Sequence, residues 1–313
     1  MNAIKKAMIL AAGFGKRVRP LSLIRPKPLF PVLGRPLISH TLDLLTKAGI
    51  KEVVVNTHHL AAQVEDYLTS LKFGPAIHVI REENILGTGG GVKNASDLLG
   101  PEPFFIINAD NLIDIDLQAV VTEHLAHQTP ATLVLSDRRN FSNVAVDQGG
   151  MIRGFRGDWP AGTETDQWRI LAFTGVHVLG PEVPAEIPEG PGDIITTYQA
   201  MVKKGAPVKA FTAQDPDWWD IGTLNRYLRV HSDLLAGRAK GPIMVGSGAS
   251  ISPGAVIEGW AYIGEGAIVE HGAHVKNSVL WPGSKVVSGV WVEDSVLADG
   301  VTAERNVTKE ALI

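Results

Sequence analysis

The chain has 313 residues, 45% hydrophobic and 20% charged, more than one core usually organises and ordinary in composition for a globular protein. A formal net charge of −4 leaves no basic excess to neutralise a phosphate backbone, so no nucleic-acid partner is expected. The absence of cysteine excludes disulfides, thiolate nucleophiles and zinc–thiolate sites, and fits a reducing, cytoplasmic compartment.

Lys5 and Lys6 precede the apolar run Ala7 to Gly13, which invites a signal-peptide reading. The run is short and meets Lys16, Arg17 and Arg19 at once, so a first buried strand is expected instead. No stretch reaches the roughly 20 apolar residues of a membrane helix, and no membrane partner is expected. The strand over residues 7–12 ends in a glycine turn. Leu37 to Ala48 has helical spacing, with Leu37, Ile38, Leu42 and Leu45 on one face. Strands follow over 52–56, 77–80 and 104–108, with helices over 61–71 and 91–99 between them. Uninterrupted apolar strands separated by helices imply an α/β, Rossmann-like, mainly parallel sheet covered on both faces, with ligands at the carboxyl ends of its strands.

The last 70 or so residues follow another rule, that of a solenoid repeat. Val245, Ile251, Ile257, Ile263, Val269 and Val275 recur every sixth position, and Ala249, Ala255, Ala261, Ala267 and Ala273 sit four places after the first five. This is the hexapeptide signature of a parallel β-helix, with the aliphatic residues filling its interior. The phase then shifts, and Asn277-Ser-Val-Leu280 is echoed by Asp294-Ser-Val-Leu297, as one short coil or a bulge would produce. The expected domains are 1–236 and 243–308, joined by a linker over 237–242. Trp260, Tyr262, Trp281 and Trp291 alternate with the interior positions, so several are expected to point outward. A surface must cover them, either the catalytic domain by intramolecular docking or another subunit; the second is preferred, so the β-helix is read as a module for assembly into a homo-oligomer and for stability, with the nucleotide chemistry confined to the first domain.

The segment Leu10-Ala-Ala-Gly-Phe-Gly-Lys-Arg17 takes a buried strand into a glycine loop. Gly13 and Gly15 let the backbone approach a ligand, and free amides there can hold phosphate oxygens. Arg17 and Lys27, the latter within Arg25-Pro-Lys-Pro28, add fixed positive charge. The spacing lacks the third glycine of a dinucleotide fingerprint.

Residues 7–36 resemble the signature of the sugar-1-phosphate nucleotidylyltransferases, and the resemblance continues almost end to end. Glu82-Glu-Asn-Ile-Leu-Gly-Thr-Gly-Gly90 is similar to the family's base-contacting loop, Asn108-Ala-Asp110 to its magnesium aspartate, and Trp219-Asp-Ile-Gly-Thr223 to the segment bearing the second metal aspartate. The resemblance implies an enzyme that joins a nucleoside triphosphate to a sugar 1-phosphate and releases pyrophosphate. It implies Arg17, Lys27 and Asp110 as catalytic residues and Asp110 and Asp220 as Mg2+ ligands. Leu10, Ala11, Ala12, Gly13, Gly15, Glu82, Gly87 and Thr88 would contact the nucleotide. Such catalysis is mostly positioning and charge stabilisation, and it needs no protein nucleophile. Asp217-Trp-Trp219 is read as packing around the Asp220 loop, and His58 and His59 as helix-entry residues rather than metal ligands.

On the sugar side the chain departs from the family. Where a glutamate–lysine pair is common, it has Gly154-Phe-Arg-Gly-Asp158, so Arg156 or Arg169 is left to supply the charge; Ser142 stands where a glycine is frequent. Gly175, expected with Arg156 to contact the sugar phosphate, ends a strand, Leu171 to Gly175, that, with Val55-Asn-Thr-His-His-Leu60 and Thr88-Gly-Gly-Gly91, resembles the N-acetylmuramate-1-phosphate uridylyltransferases. The appended β-helix, of the left-handed hexapeptide type, resembles the mannose-1-phosphate guanylyltransferases instead. A carboxylate at Glu82 would suit guanine if it faces the base. Two rivals stay open. One is an acyltransferase β-helix using His271 or His274. The other is a non-catalytic sugar-nucleotide-binding regulatory subunit, motivated by the missing lysine.

Overall fold

The computed structural model describes residues 4–138, 141–158, 168–214, 216–237 and 241–313; residues 238–240 of the expected linker lie outside these. Packing divides the chain into two compact units. One runs to Gly13, resumes at Ile38 and ends at Trp218, and the other joins Phe14–Leu37 to Trp219–Ile313.

In chain order the elements are β1 (Lys6–Leu10), then β2 (Pro31–Val32) and β3 (Arg35–Pro36) of the second unit. The first unit resumes with α1 (Leu37–Lys47), β4 (Glu52–Thr57), α2 (Ala61–Ser70), β5 (Ala76–Arg81), α3 (Gly87–Asn94) and α4 (Ser96–Leu99). It continues with β6 (Phe104–Asn108), β7 (Asn111–Asp114), α5 (Leu117–His127), β8 (Ala131–Ser136), β9 (Ser142–Val146) and β10 (Ile152–Phe155). It ends with β11 (Arg169–Leu179), α6 (Val183–Glu186), α7 (Ile194–Lys203) and β12 (Val208–Thr212). The sheet order is β10-β9-β11-β6-β1-β4-β5, with β8 joining β11 to β12. The run β6-β1-β4-β5 is parallel, as expected from its continuous apolar strands, whereas β11 is antiparallel to β6, β8 and β9. The chain leaves β1 for β4 and β5 and returns to the other side of β1 at β6. In sheets of this kind ligands bind at such a reversal, outside the carboxyl ends of the strands, here β1 and β6, where Leu10 lies opposite Asn108.

The helix expected over 91–99 is two shorter ones, beginning at Gly87 and broken after Asn94. Four glycines in α3 disguise it in sequence, since glycine is a poor helix former. Their reason is tertiary. A Cβ on Gly87 would lie 2.6 Å from the Gly192 carbonyl oxygen, and one on Gly90 would lie 2.5 Å from that of Gly190. The amide of Gly89 donates to the Gly192 carbonyl at 2.8 Å, which locks the two backbones together.

In the second unit α8 (Leu224–Ala236), N-capped by Thr223, precedes the β-helix. The coils stack in parallel: Ile263 pairs with Leu280 and Leu280 with Leu297, Val269 with Val286, and Val275 with Val292. The extra residue of the first coil is a bulge between Glu258 and Ala261. The echoed Asn277 and Asp294 both take a left-handed backbone (φ 47° and 48°), with the Asn277 amide donating to the Asp294 carboxylate. Ile263, Val269 and Val275 are fully buried, but Val245 and Ile251 are 48% and 36% exposed, contrary to expectation. Their coil is the first and is stacked on one side only.

Of the aromatics expected to point outward, Trp281 and Tyr262 are covered within the unit rather than exposed. Trp281 is fully buried and Tyr262 nearly so, while Trp291 alone of the four is strongly exposed. Phe30 packs edge-on to Tyr227 and Trp281, with centroids 5.6 and 5.1 Å away, so residues 14–37 and α8 cover this face of the β-helix.

Candidate active site

At the carboxyl ends of β1, β4 and β5 the first unit builds a polar relay of fixed direction. The Ala11 amide donates to Asn56 Oδ1 at 2.9 Å, and Asn56 Nδ2 donates to Glu82 Oε1 at 2.7 Å. The Leu86 amide donates to Glu82 Oε2 at 2.9 Å. Glu82 is therefore 4% exposed, with both oxygens already serving to tie Ala11 and the loop before α3 to β4. The His58 ring nitrogen Nδ1 donates to the Glu82 carbonyl just before α2. Leu10 accepts from the Ala109 amide at 3.0 Å, which draws the strand end carrying Asp110 beside the glycine loop.

Gly13 is exposed, and a Cβ there would meet no atom within 4 Å. Nothing in the fold demands glycine at that position, which is what a ligand-approach residue would show. Gly15 is different: its φ is +60°, a Cβ would sit 3.0 Å from Ser22 Cβ, and Ser22 Oγ donates to its carbonyl. Gly175 also has a structural reason. It lies at φ +81° in an irregular stretch of β11, and a Cβ would come within 2.5 Å of Asn111 Nδ2 and 2.6 Å of Asn108 Nδ2.

Thr88 joins this loop to a segment that the sequence reading passed over. Asp193 caps α7 through the Ile195 amide and accepts from Thr88 Oγ1 at 3.2 Å; Thr88 Oγ1 in turn accepts from the Ile194 amide at 2.9 Å. Arg156, at φ 54°, places its guanidinium 2.8 Å from the other Asp193 oxygen, whereas Arg169 pairs with Asp137 at 3.6 Å. Of the two arginines, Arg156 is the one tied, through Asp193, to Thr88. The signal for Asp193 was its N-cap position ahead of an apolar helical run, next to a glycine pair.

In the second unit Arg17 is exposed on a single 3-10 turn after Gly15. A Cβ on Gly222 would lie 2.5 Å from Asp220 Oδ1 and 3.1 Å from Arg17 Nη2, so carboxylate and guanidinium converge over that glycine. Asp220 Oδ2 accepts from Arg226 Nη1 of α8 at 3.0 Å. Trp219 donates to Asp233 at 2.9 Å, and Trp218 is buried, in keeping with packing roles. Lys27 is 7% exposed in the turn Lys27–Leu29. Among the described residues no three His, Cys, Asp or Glu side chains gather as a protein cage for a metal. On the β-helix, His274 is stacked on Trp291 and His271 donates to the Pro253 carbonyl. No helix among the described residues is long and apolar enough to cross a membrane.

A family model described as nucleotidyl transferase matches residues 6–237, and one described as the GMPPB C-terminal domain matches residues 239–312. The chain is 30% identical to a mannose-1-phosphate guanylyltransferase of Mycobacterium tuberculosis over 92% of its own length and 82% of the relative's. It is 30% identical to a UTP–glucose-1-phosphate uridylyltransferase of Synechocystis, over 93% and 87% of the two chains. Against an N-acetylmuramate alpha-1-phosphate uridylyltransferase of Caulobacter vibrioides the identity is 34%, over 65% of this chain and 87% of the relative.

Proposed function

Because the chain belongs to the nucleotidyl transferase family and is a sugar-phosphate nucleotidyltransferase, we propose that it transfers a guanylyl group from GTP to mannose 1-phosphate. The observation that carries this reading is the second unit. Arg17 and Asp220 converge over Gly222 in a unit completed by a β-helix that matches the GMPPB C-terminal domain.

In this reading a phosphate oxygen of the sugar 1-phosphate attacks the α-phosphorus. The bond to the bridging α–β oxygen breaks, and pyrophosphate leaves with that electron pair. Arg17 takes the charge growing on the leaving phosphates, and Lys27 that on the α-phosphate or the incoming phosphate. The amides of Ala12 to Gly15 would line the phosphate path, with Ala11 held by Asn56, and Gly87 and Thr88 border the base. Glu82 acts by holding this frame. Arg156, braced by Asp193, supplies the cation that the missing lysine would have given to the sugar phosphate. Family members generally depend on a divalent metal. Asp110 and Asp220 are hard oxygen donors of the kind Mg2+ prefers; they would hold the ion, which would supply charge neutralisation to the phosphates. The reading includes a cytoplasmic homo-oligomer, with exposed Trp291 on the β-helix; a monomer by light scattering removes that part.

Pyrophosphate release across four nucleoside triphosphates and several sugar 1-phosphates tests the substrate. GTP with mannose 1-phosphate should give the highest kcat/KM. UTP with N-acetylmuramate 1-phosphate, favoured by the Leu171 to Gly175 strand, or UTP with glucose 1-phosphate would replace that pair if either ranks first. Release with no pair would leave a binding protein. Excess chelator should abolish turnover, and Asp110→Asn should lose most of it in a folded protein; full activity in either case would remove the metal role.

A further inference from the structure

The segment from Phe14 to Leu37 carries Arg17 and Lys27 yet has almost no regular structure of its own. It holds three single 3-10 turns and the two-residue strands β2 and β3. Such a segment must take its rigidity from what it packs on. Two anchors flank Lys27, and both lie on the β-helix. Two residues before it, Arg25 pairs with Asp299 at 2.7 Å and lies over the Trp281 ring, 5.1 Å from its centroid. Three residues after it, Phe30 is fully buried against Trp281 and Tyr227.

A hydrogen-bonded chain fixes the same stretch. Trp281 Nε1 donates to the Tyr227 hydroxyl at 2.9 Å, and that hydroxyl donates to the Pro31 carbonyl. Burial pushes the Tyr227 hydroxyl well above the usual tyrosine range, so it stays a donor. His231 continues the chain. Its Nδ1 donates to the Tyr227 carbonyl at 2.9 Å and its Nε2 accepts from the Leu33 amide at 3.3 Å, which defines a neutral tautomer. Beyond it, a Cβ on Gly34 would come within 2.8 Å of the Tyr262 hydroxyl, so the β2–β3 turn also rests on the β-helix.

We infer that the β-helix positions the phosphate-binding lysine: Asp299 and Trp281, acting through Arg25 and Phe30, are positioning residues for Lys27. The inference rests on the reading of Lys27 as a phosphate ligand. It replaces the expected division of labour, because a module for assembly and stability alone would not clamp the catalytic segment on both sides of its lysine.

A double-mutant cycle on the full chain tests it. Asp299→Asn keeps the shape and removes the charge that holds Arg25; Trp281→Phe keeps an aromatic against Phe30 and removes the donor to Tyr227. Each should lower kcat on the order of tenfold or more, with a smaller change in KM for the nucleotide, because a displaced cation is missed most in the transition state. In a Lys27→Ala background the same substitutions should change kcat by less than about twofold, since residues acting as one unit do not add. Equal factors in the two backgrounds, or wild-type kcat in both single variants, overturn the positioning role. A Lys27→Ala enzyme with wild-type turnover overturns the reading of Lys27 and the inference with it. Thermal melts of each variant separate a lost fold from a displaced lysine, because only a displaced lysine couples to Lys27→Ala.

Discussion

The two regions that carry the candidate site are held by different physics. At the strand ends of the first unit, backbone meets backbone and small polar side chains. Glycines 87, 89 and 90 lie against Gly190 to Asp193, and Ala11, Asn56, Glu82 and Leu86 form a relay in which each hydrogen bond fixes the direction of the next. In the second unit, Arg17 and Lys27 sit on a segment whose own hydrogen bonds close only short turns, and large aromatic rings hold it from far along the chain. The first construction is close-fitting and exacting, so one methyl group or one misplaced proton disturbs it. The second is distributed, and its geometry is set some 250 residues away in sequence, as the Phe30–Trp281 contact illustrates.

The largest effect should come from the second unit. Arg17→Ala should cut kcat by at least on the order of 10²-fold, about 3 kcal/mol of transition-state stabilisation, with little change in melting temperature because the side chain is exposed. Arg17→Lys should recover only part, since a point charge lacks the guanidinium fork. Steady-state kinetics with pyrophosphate detection decide it: a change confined to KM would make Arg17 a binding residue and weaken the contrast between the units.

Next comes the relay. Glu82→Gln places an amide where two donors converge, so one N–H must face another whichever way the amide of Gln or Asn56 is turned. The expected cost is about 1–3 kcal/mol of stability, read by urea unfolding. An unchanged midpoint would mean that the relay is looser than its geometry. Gly13→Ala sharpens the comparison from the other side. With no atom within 4 Å of the added methyl, stability should be untouched, while nucleotide affinity falls about tenfold. A melting temperature that drops together with affinity would return Gly13 to the fold and take it from the ligand.

Much of this was legible in the sequence, and the limits are physical. The parallel strands declared themselves because both of their faces are buried, and the solenoid because its repeat is strict. The glycines of α3 hid a helix, since their reason is the backbone of Gly190 and Gly192, a contact across some 100 residues. Period alone could not tell that Trp281 points at Phe30 rather than at solvent, because an outward position on a coil is silent about what covers it. Arg17 and Asp220 were found separately by motif; that they meet over Gly222 is a fact of folding.

The smallest effect distinguishes the two units by acid. His124 and His177 both belong to the first unit, and burial lowers their pKa to about 4 and about 3. His177 is fully enclosed, with its Nδ1 against the Tyr198 hydroxyl. A depressed folded value means that the unfolded chain binds protons first. The stability from keeping these rings neutral is therefore complete above the unfolded value near 6.5 and is lost progressively as pH falls below it towards the folded values. Between pH 7.5 and 6 the loss should be modest, about 1 kcal/mol for each ring. Urea unfolding at the two pH values, followed with His177→Gln and His124→Asn, reads it. The wild type should weaken on acidification and the double variant should be flatter. Hydrogen exchange adds the location: first-unit strands such as β8 and β11 should lose protection before the β-helix coils do. Coils that open first would place the acid-sensitive groups in the second unit and reverse the comparison.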